Sequence, residues 1–172
     1  IFCDEKGSVV DGDYILAILA IHYKNKKKLS NNSIVSTKMS NLGMRKFFLK
    51  EKIKFYLSDV GDRYVIELMK KNNCILGGEQ SGHIIFSENS FCGDGLFTAL
   101  TILEIINETN LSLSKLHTNL FEKLPQHLVN YKLSNNSDLV IKGRTINNLL
   151  DKYSKTNNCD VLLRKSGTEN LL

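Results

Sequence analysis

Cys74-Ile75-Leu76-Gly77-Gly78-Glu79-Gln80-Ser81-Gly82-His83-Ile84-Ile85-Phe86 decides how this chain is read. Two short apolar runs, Cys74 to Leu76 and His83 to Phe86, flank a glycine-rich loop, a pattern that predicts two strands joined as a hairpin. Alternate positions of an extended segment face the same way, so Glu79, Ser81 and His83 can line one wall. A carboxylate accepts hydrogen bonds from adjacent sugar hydroxyls, and a hydroxyl donates or accepts. An imidazole titrates near neutrality and can donate to a phosphate oxygen or assist proton transfer. The same letters also describe a tight hairpin whose polar side chains are incidental.

A second loop, Arg164-Lys165-Ser166-Gly167-Thr168-Glu169, lies close to the C-terminal end, after a predicted strand at Val161 to Arg164. A strand end followed by a glycine turn exposes successive backbone N–H groups as an anion nest. The Arg164 guanidinium can clamp two phosphate oxygens with its planar fork, and Ser166 and Thr168 add neutral donors. The plainer alternative is a surface Ser-Gly turn beside two cations. Ser81 stands in Gly-x-x-Ser-Gly, which is not the Gly-x-Ser-x-Gly nucleophile elbow. Neither a Walker A loop nor a Gly-x-Gly-x-x-Gly dinucleotide fingerprint occurs.

Outward from these loops the pattern alternates strand and helix, which argues α/β architecture. Strands are predicted at Ile1 to Asp4, Ser33 to Thr37 and Ile53 to Leu57. Helices are predicted at Tyr14 to Tyr23, Asn41 to Lys52, Tyr64 to Lys71 and Leu96 to Ile106. Asp11 and Asp13 read as a capping pair before an all-apolar helix, and Asp94 as a cap between Gly93 and Gly95. Asp62 is either a helix cap or an active-site group, and Arg63 either a solvent charge or its neighbour in the site. The composition changes near Asn107 to Ser114, and the single proline, Pro125, follows. Beyond it, His127 to Leu133 alternates like a half-exposed strand, and Thr145 to Lys155 predicts a helix.

Bulk properties narrow the class. The chain has 172 residues with 42% hydrophobic and 24% charged residues, ordinary for a globular protein. The net charge of +5 is concentrated around Lys24 and Lys26 to Lys28, a solvated turn or, less economically, a nucleic-acid patch without the usual interleaved aromatics. Cys3, Cys74, Cys92 and Cys159 form no Cys-x-x-Cys pair and read as reduced, half-buried thiols of a cytoplasmic protein. No apolar run reaches the ~18 residues of a membrane helix. Ile1-Phe2-Cys3 reads as a strand already under way and Asn170-Leu171-Leu172 as one just starting, so the sequence reads as a piece of a longer protein.

Taken together, the motifs resemble the phosphohexomutases. Gly78-Glu79-Gln80-Ser81-Gly82-His83 resembles the family's sugar-binding loop, and Arg164-Lys165-Ser166-Gly167-Thr168-Glu169 its phosphate-binding loop. Val60-Gly61-Asp62-Arg63-Tyr64-Val65, Met39-Ser40-Asn41-Leu42-Gly43, Gly93-Asp94-Gly95-Leu96 and Val10-Asp11-Gly12-Asp13 look like the branch that acts on glucosamine phosphates. Asn170 stands where the family usually has proline.

The resemblance implies an α/β fold: a mixed-sheet phosphohexomutase domain followed by a truncated α+β C-terminal domain. Residues 1–10 would end the second domain, 11–112 form the third, and 113–172 belong to the C-terminal phosphate-binding domain. It implies a four-domain enzyme interconverting glucosamine 6-phosphate and glucosamine 1-phosphate through a phosphoserine and a bisphosphate. Glu79, Ser81 and His83 would meet the sugar, with His83 toward the transferring phosphate, while Arg164, Ser166, Gly167 and Thr168 hold the other phosphate. Asp62 and Arg63 match a third active-site loop. The catalytic serine and the Mg²⁺ ligands would lie outside this sequence, leaving it inactive alone. The alternatives are a phosphomannomutase or phosphoglucomutase, a non-catalytic sugar-phosphate binder, or a basic nucleic-acid module. The expected partner is a sugar phosphate, with neither nucleic acid nor membrane.

Overall fold

The computed structural model describes residues 1–132, 144–157 and 159–166, in two compact units, Ile1–Leu124 and Pro125–Leu172.

In the first unit, β1 (Phe2–Cys3) and β2 (Val9–Val10) form an antiparallel hairpin. Its turn is closed by the Asp4 carboxylate, which accepts the amide hydrogens of Lys6 (2.9 Å) and Ser8 (2.8 Å). Then follow α1 (Gly12–Asn25), β3 (Ser33–Thr37), α2 (Leu42–Lys50), β4 (Lys54–Ser58), α3 (Asp62–Asn72), β5 (Leu76–Gly78), β6 (Ile84–Phe86), α4 (Gly95–Thr109) and α5 (Leu113–Thr118). The main sheet has the order β4-β3-β5-β6; β4, β3 and β5 are parallel, and β6 runs antiparallel to β5. This is the mixed sheet expected from the sequence.

The strand period of two sorts the core into two layers. Ile34, Leu76, Ile84 and Phe86 pack with Leu16 and Leu19 of α1, Phe48 of α2 and Ile102 and Ile105 of α4. Val35 and Ile85 face the other way and pack with Val65 and Met69 of α3. Helices therefore cover both faces, which explains why Ser33–Thr37 is buried at every position instead of alternating. In this arrangement the carboxyl ends of the parallel strands share one edge, where ligands bind in open α/β sheets.

β5 lies two residues later than predicted, and its glycines belong to the strand rather than the loop. Packing is the reason. A Cβ on Gly77 would lie 2.5 Å from Met69 Sδ, and one on Gly78 2.7 Å from Ile84 Cδ1.

The first unit also continues past the predicted break at residue 112, to Leu124. Leu113 is buried, and Leu116, Leu120 and Phe121 pack against the core. Phe121 stacks on Tyr14 (centroids 4.7 Å apart), and His117 Nε2 lies 3.2 Å from Asp4 Oδ2. Asn41 fastens the end of the segment: its Oδ1 accepts the Leu124 amide hydrogen (3.0 Å) and its Nδ2 donates to the Leu124 carbonyl (2.8 Å).

In the second unit the predicted helix is present as α6 (Arg144–Asn157). Residues 127–131 and 161–164 form no strand, despite their alternating or apolar sequence. Leu128, Val129, Tyr131, Val161 and Leu162 are exposed, so a β-favouring pattern is present without the buried face that makes it pay. The strand suggested at Asn170-Leu171-Leu172 lies outside the described residues.

Cys74 is buried, Cys3 and Cys92 are exposed rather than half-buried, and Cys159 is intermediate; all are free thiols. In the basic turn, Lys24 pairs with Glu51 (2.9 Å) and Lys26 with Glu108 (2.6 Å), the arrangement of a solvated surface turn. No described helix is long and apolar enough to cross a membrane.

Candidate functional site

The loop between β5 and β6 stands at the carboxyl edge of the sheet and is shaped by its own backbone. The Glu79 amide donates to the His83 carbonyl (3.0 Å), and the Gly82 amide to the Glu79 carbonyl (2.9 Å). Gly82 has φ +101°, which a side chain would strain.

The start of α1 is the seat for this loop. The Gly12 amide donates to the Gln80 carbonyl (3.0 Å), and a Cβ at Gly12 would lie only 2.0 Å from the Glu79 carbonyl oxygen. Asp13, fully buried, accepts on Oδ2 from the Asn41 amide (2.8 Å) and from Gln80 Nε2 (3.3 Å). It therefore joins three loops instead of serving as a simple cap. Burial pushes its carboxyl up to about 6, opposed by the Asn41 hydrogen bond. The capping role falls to Asp11, whose side chain accepts from the Tyr14 amide (3.4 Å) and also pairs with Lys123. The sequence signal for Asp13 was a carboxylate placed in an otherwise apolar helix, where solvent could not satisfy it.

Glu79, Ser81, His83 and Asp62 come together. Glu79 is buried; its Oε1 accepts the Gly61 amide hydrogen (2.7 Å), and its Oε2 accepts from Ser81 Oγ (3.3 Å). His83 Nδ1 lies 3.1 Å from Asp62 Oδ1 and 3.7 Å from Glu79 Oε2. Asp62 is the first residue of α3, and the preceding Gly61, at φ +124°, makes no side-chain cap. Asp62 is thus not the N-cap, and its carboxylate is turned to His83. Arg63 turns to Glu67 on the same helix (2.8 Å) and is exposed. Asp94 caps α4, accepting from the Phe97 amide (2.9 Å). The Gly61 amide was not foreseen as a partner of Glu79, because no sequence rule pairs two loops on separate strands.

Arg164 is exposed and Ser166 half-buried, in a segment of the second unit without regular structure. Gly167 and Thr168 lie outside the described residues.

Among the described residues, Asp62, Glu79 and His83 are the group whose ligand-capable atoms fall within 4.8 Å of one another. They do not make a Mg²⁺ site. That ion takes an oxygen octahedron with several waters, whereas here an imidazole nitrogen replaces oxygen and Glu79 Oε1 is held by Gly61. Two carboxylates, a hydroxyl and an imidazole at a partly open edge suit instead a polyhydroxyl ligand, whose O–H groups need acceptors in several directions.

An α/β/α domain with polar loops gathered at the carboxyl ends of its parallel strands is the class that fold and site define. Within that class, the chain belongs to the phosphoglucomutase/phosphomannomutase family, matching its alpha/beta/alpha domain III over residues 11–124. It is 48% identical over 172 residues to phosphoglucosamine mutase of Clostridium novyi (strain NT), and 43% identical over 175 residues to that of Prochlorococcus marinus (strain AS9601). Each alignment covers 98% of this chain and 38% of the relative, so the chain spans under two fifths of their length. Among solved structures, an N-acetylglucosamine-phosphate mutase in its substrate complex has a TM-score of 0.80 at 19% identity, covering 99% of this chain and 41% of that one. An Aspergillus fumigatus N-acetylphosphoglucosamine mutase in complex with GlcNAc-6P and magnesium gives 0.77 at 18% identity, with 99% and 41% covered. These likenesses bear out the α/β mixed-sheet fold and the family read from the motifs.

Proposed function

We propose that this chain supplies the sugar-hydroxyl and phosphate contacts of a cytoplasmic phosphoglucosamine mutase, which interconverts glucosamine 6-phosphate and glucosamine 1-phosphate through a phosphoserine and a bisphosphate. The observation that carries the reading is the convergence of Glu79, Ser81, His83 and Asp62 at the carboxyl edge of the sheet. The names of the relatives favour the amino sugar over other hexoses.

In this reading Glu79 and Ser81 hold ring hydroxyls. Held on one oxygen by the Gly61 amide, Glu79 presents its other oxygen in a fixed position. A reaction in which a bisphosphate turns over needs a grip on the sugar that works in two orientations, and hydroxyl-directed contacts provide one. His83 faces the transferring phosphate. Arg164, Ser166, Gly167 and Thr168 clamp the phosphate that does not react, and Asp62 and Arg63, at the start of α3, belong to a third active-site segment. The unit that ends at Leu124 carries the sugar-binding loop, and the residues from Pro125 onward belong to the phosphate-binding domain. The reactive serine and the Mg²⁺ ligands belong to parts of the enzyme outside this sequence. Positioning and charge stabilisation supply most phosphoryl-transfer catalysis, so a chain that only binds still contributes to rate.

The test is turnover by the full-length gene product with glucosamine 6-phosphate, glucose 6-phosphate and mannose 6-phosphate. Preferred conversion of the amino sugar is expected. Preference for glucose or mannose phosphate would move the chain to the other mutase branch. Binding without turnover would make it a non-catalytic sugar-phosphate binder.

A further inference from the structure

We infer that Asp62 is the positioning residue for His83, fixing the imidazole so that Nδ1 carries the proton and Nε2 faces the ligand. The inference rests on the sugar-phosphate reading above for the identity of that ligand, but its geometry stands by itself.

Asp62 Oδ1 lies 3.1 Å from His83 Nδ1. An ionised carboxylate only accepts, so the nitrogen beside it carries the hydrogen. Glu79 Oε2 lies 3.7 Å from the same nitrogen, too far for a hydrogen bond but of the same sign. Both carboxylates thus address one edge of the ring, and the other edge, with Nε2, is left to a ligand. The His83 side chain is 62% exposed, so packing restrains the ring little and its one hydrogen-bonded contact among the described residues, with Asp62, sets its orientation.

The backbone makes room for the pair. Asp62 is delivered by the first turn of α3 and His83 by the residue before β6, so the start of a helix and the entry to a separate strand set their spacing. A third loop closes over them at Gly93, where an added Cβ would lie 3.5 Å from His83 Cβ and 3.6 Å from Asp62 Oδ2. The other charges nearby are engaged elsewhere: Arg63 with Glu67, and Asp94 with the Phe97 amide.

The functional consequence follows from the tautomer. A neutral ring with Nε2 unprotonated accepts a hydrogen bond from a sugar hydroxyl. After protonation, the same nitrogen donates to a phosphate oxygen. A ring of the opposite tautomer, or one free to rotate, offers neither reliably.

The experiment uses the full-length gene product, with glucosamine 6-phosphate as substrate, and the variants Asp62→Ala and Asp62→Asn. Imidazole nitrogen NMR, with His83→Gln for assignment, reads the tautomer independently of turnover. The unaltered protein is expected to show His83 protonated on Nδ1 in its neutral form. Asp62→Ala is expected to lose that preference and to lower kcat by about 10²-fold with little change in KM, the scale of a misplaced group. Asp62→Asn keeps an acceptor oxygen and is expected to retain the tautomer and recover part of kcat. Neutral His83 protonated on Nε2 in the unaltered protein would overturn the inference. So would full kcat in Asp62→Ala, and either result leaves the mutase reading standing. An unaltered protein that turns over no sugar phosphate would instead sink the mutase reading, and the tautomer would still decide the role of Asp62.

Discussion

Glu79 Oε1 accepts the amide hydrogen of Gly61 at 2.7 Å, joining the loop after β5 to the residue that precedes α3. The bond spends one carboxylate oxygen on architecture and leaves the other, Oε2, near Ser81 and His83. A hydrogen bond to a charged acceptor contributes about 1.5–3 kcal/mol. Glu79→Gln is therefore expected to lower the stability of the chain by about 1 kcal/mol, as a neutral acceptor replaces a charged one. Urea unfolding measures the change, and a variant as stable as the parent would show that the bond does not form in solution.

Gly12→Ala tests the seat of the loop. The new Cβ would meet the Glu79 carbonyl at 2.0 Å, backbone against which no side chain can swing aside. Overpacking of this kind costs about 1–3 kcal/mol. The expected outcome is that loss of stability together with weakened sugar-phosphate binding, read by thermal unfolding and calorimetry. Retention of both would mean that the loop does not rest on α1.

Asp13 makes stability depend on pH. Its carboxyl stands at about 6 in the folded protein against 3.8 for an unperturbed group, the difference arising chiefly from burial. Between those values the native state holds the proton more tightly than the unfolded state, so stability falls as pH rises from about 4 to about 6. The loss is on the order of 2 kcal/mol. Asp13→Asn removes the titration, so its Tm relative to the parent is expected to be higher at pH 7 than at pH 4. A Tm difference that does not change between those pH values would contradict the assignment.

Asn41→Ala removes the fastening of the 120–124 segment. The side chain accepts from the Gly43 and Leu124 amides and donates to the Leu124 carbonyl, in a buried setting. Stranding buried partners costs about 1–3 kcal/mol each, partly relieved as the segment lifts into water, so a loss of about 2–3 kcal/mol is expected. Hydrogen exchange should rise at Leu120 to Leu124 before it rises in β3. Unchanged protection of the segment would show that its packing, not Asn41, holds it.

Arg164→Ala tests the clamp in the full-length protein. Loss of one charge-assisted bond of about 1.5–3 kcal/mol corresponds to a roughly tenfold to hundredfold weaker grip on sugar phosphate. Binding and transfer should fall together. Unchanged kinetics would remove Arg164 from the site.

Much of this was legible in the sequence because local rules and tertiary packing agree there. Ser33 to Thr37 and the helix from Asn41 announce themselves by β-branched content and by a cap, and both are present. The hairpin around Glu79 was legible too, as strand, glycine loop and strand, although its glycines proved to be strand residues, thinned for Met69 and Ile84. What local rules could not supply was contact between loops. Asp13 looked like one of two caps, and only the folded chain brings Asn41 and Gln80 to it. Asp62 could be read two ways until His83 arrived beside it. The break predicted at residue 112 rested on composition, which is blind to the packing of Leu113 and Phe121 on the core. The strand predictions at His127 to Leu133 and Val161 to Arg164 rested on pattern alone, and residues 127–131 and 161–164 form no strand.

The measurement that bears most directly on the central claim is turnover of glucosamine 6-phosphate by the full-length gene product with and without Glu79→Ala. The account predicts interconversion with glucosamine 1-phosphate by the unaltered protein and a loss of about 10²-fold or more in kcat/KM for the variant, as sugar positioning fails. Equal turnover by the two proteins, or none by the unaltered one, would contradict it.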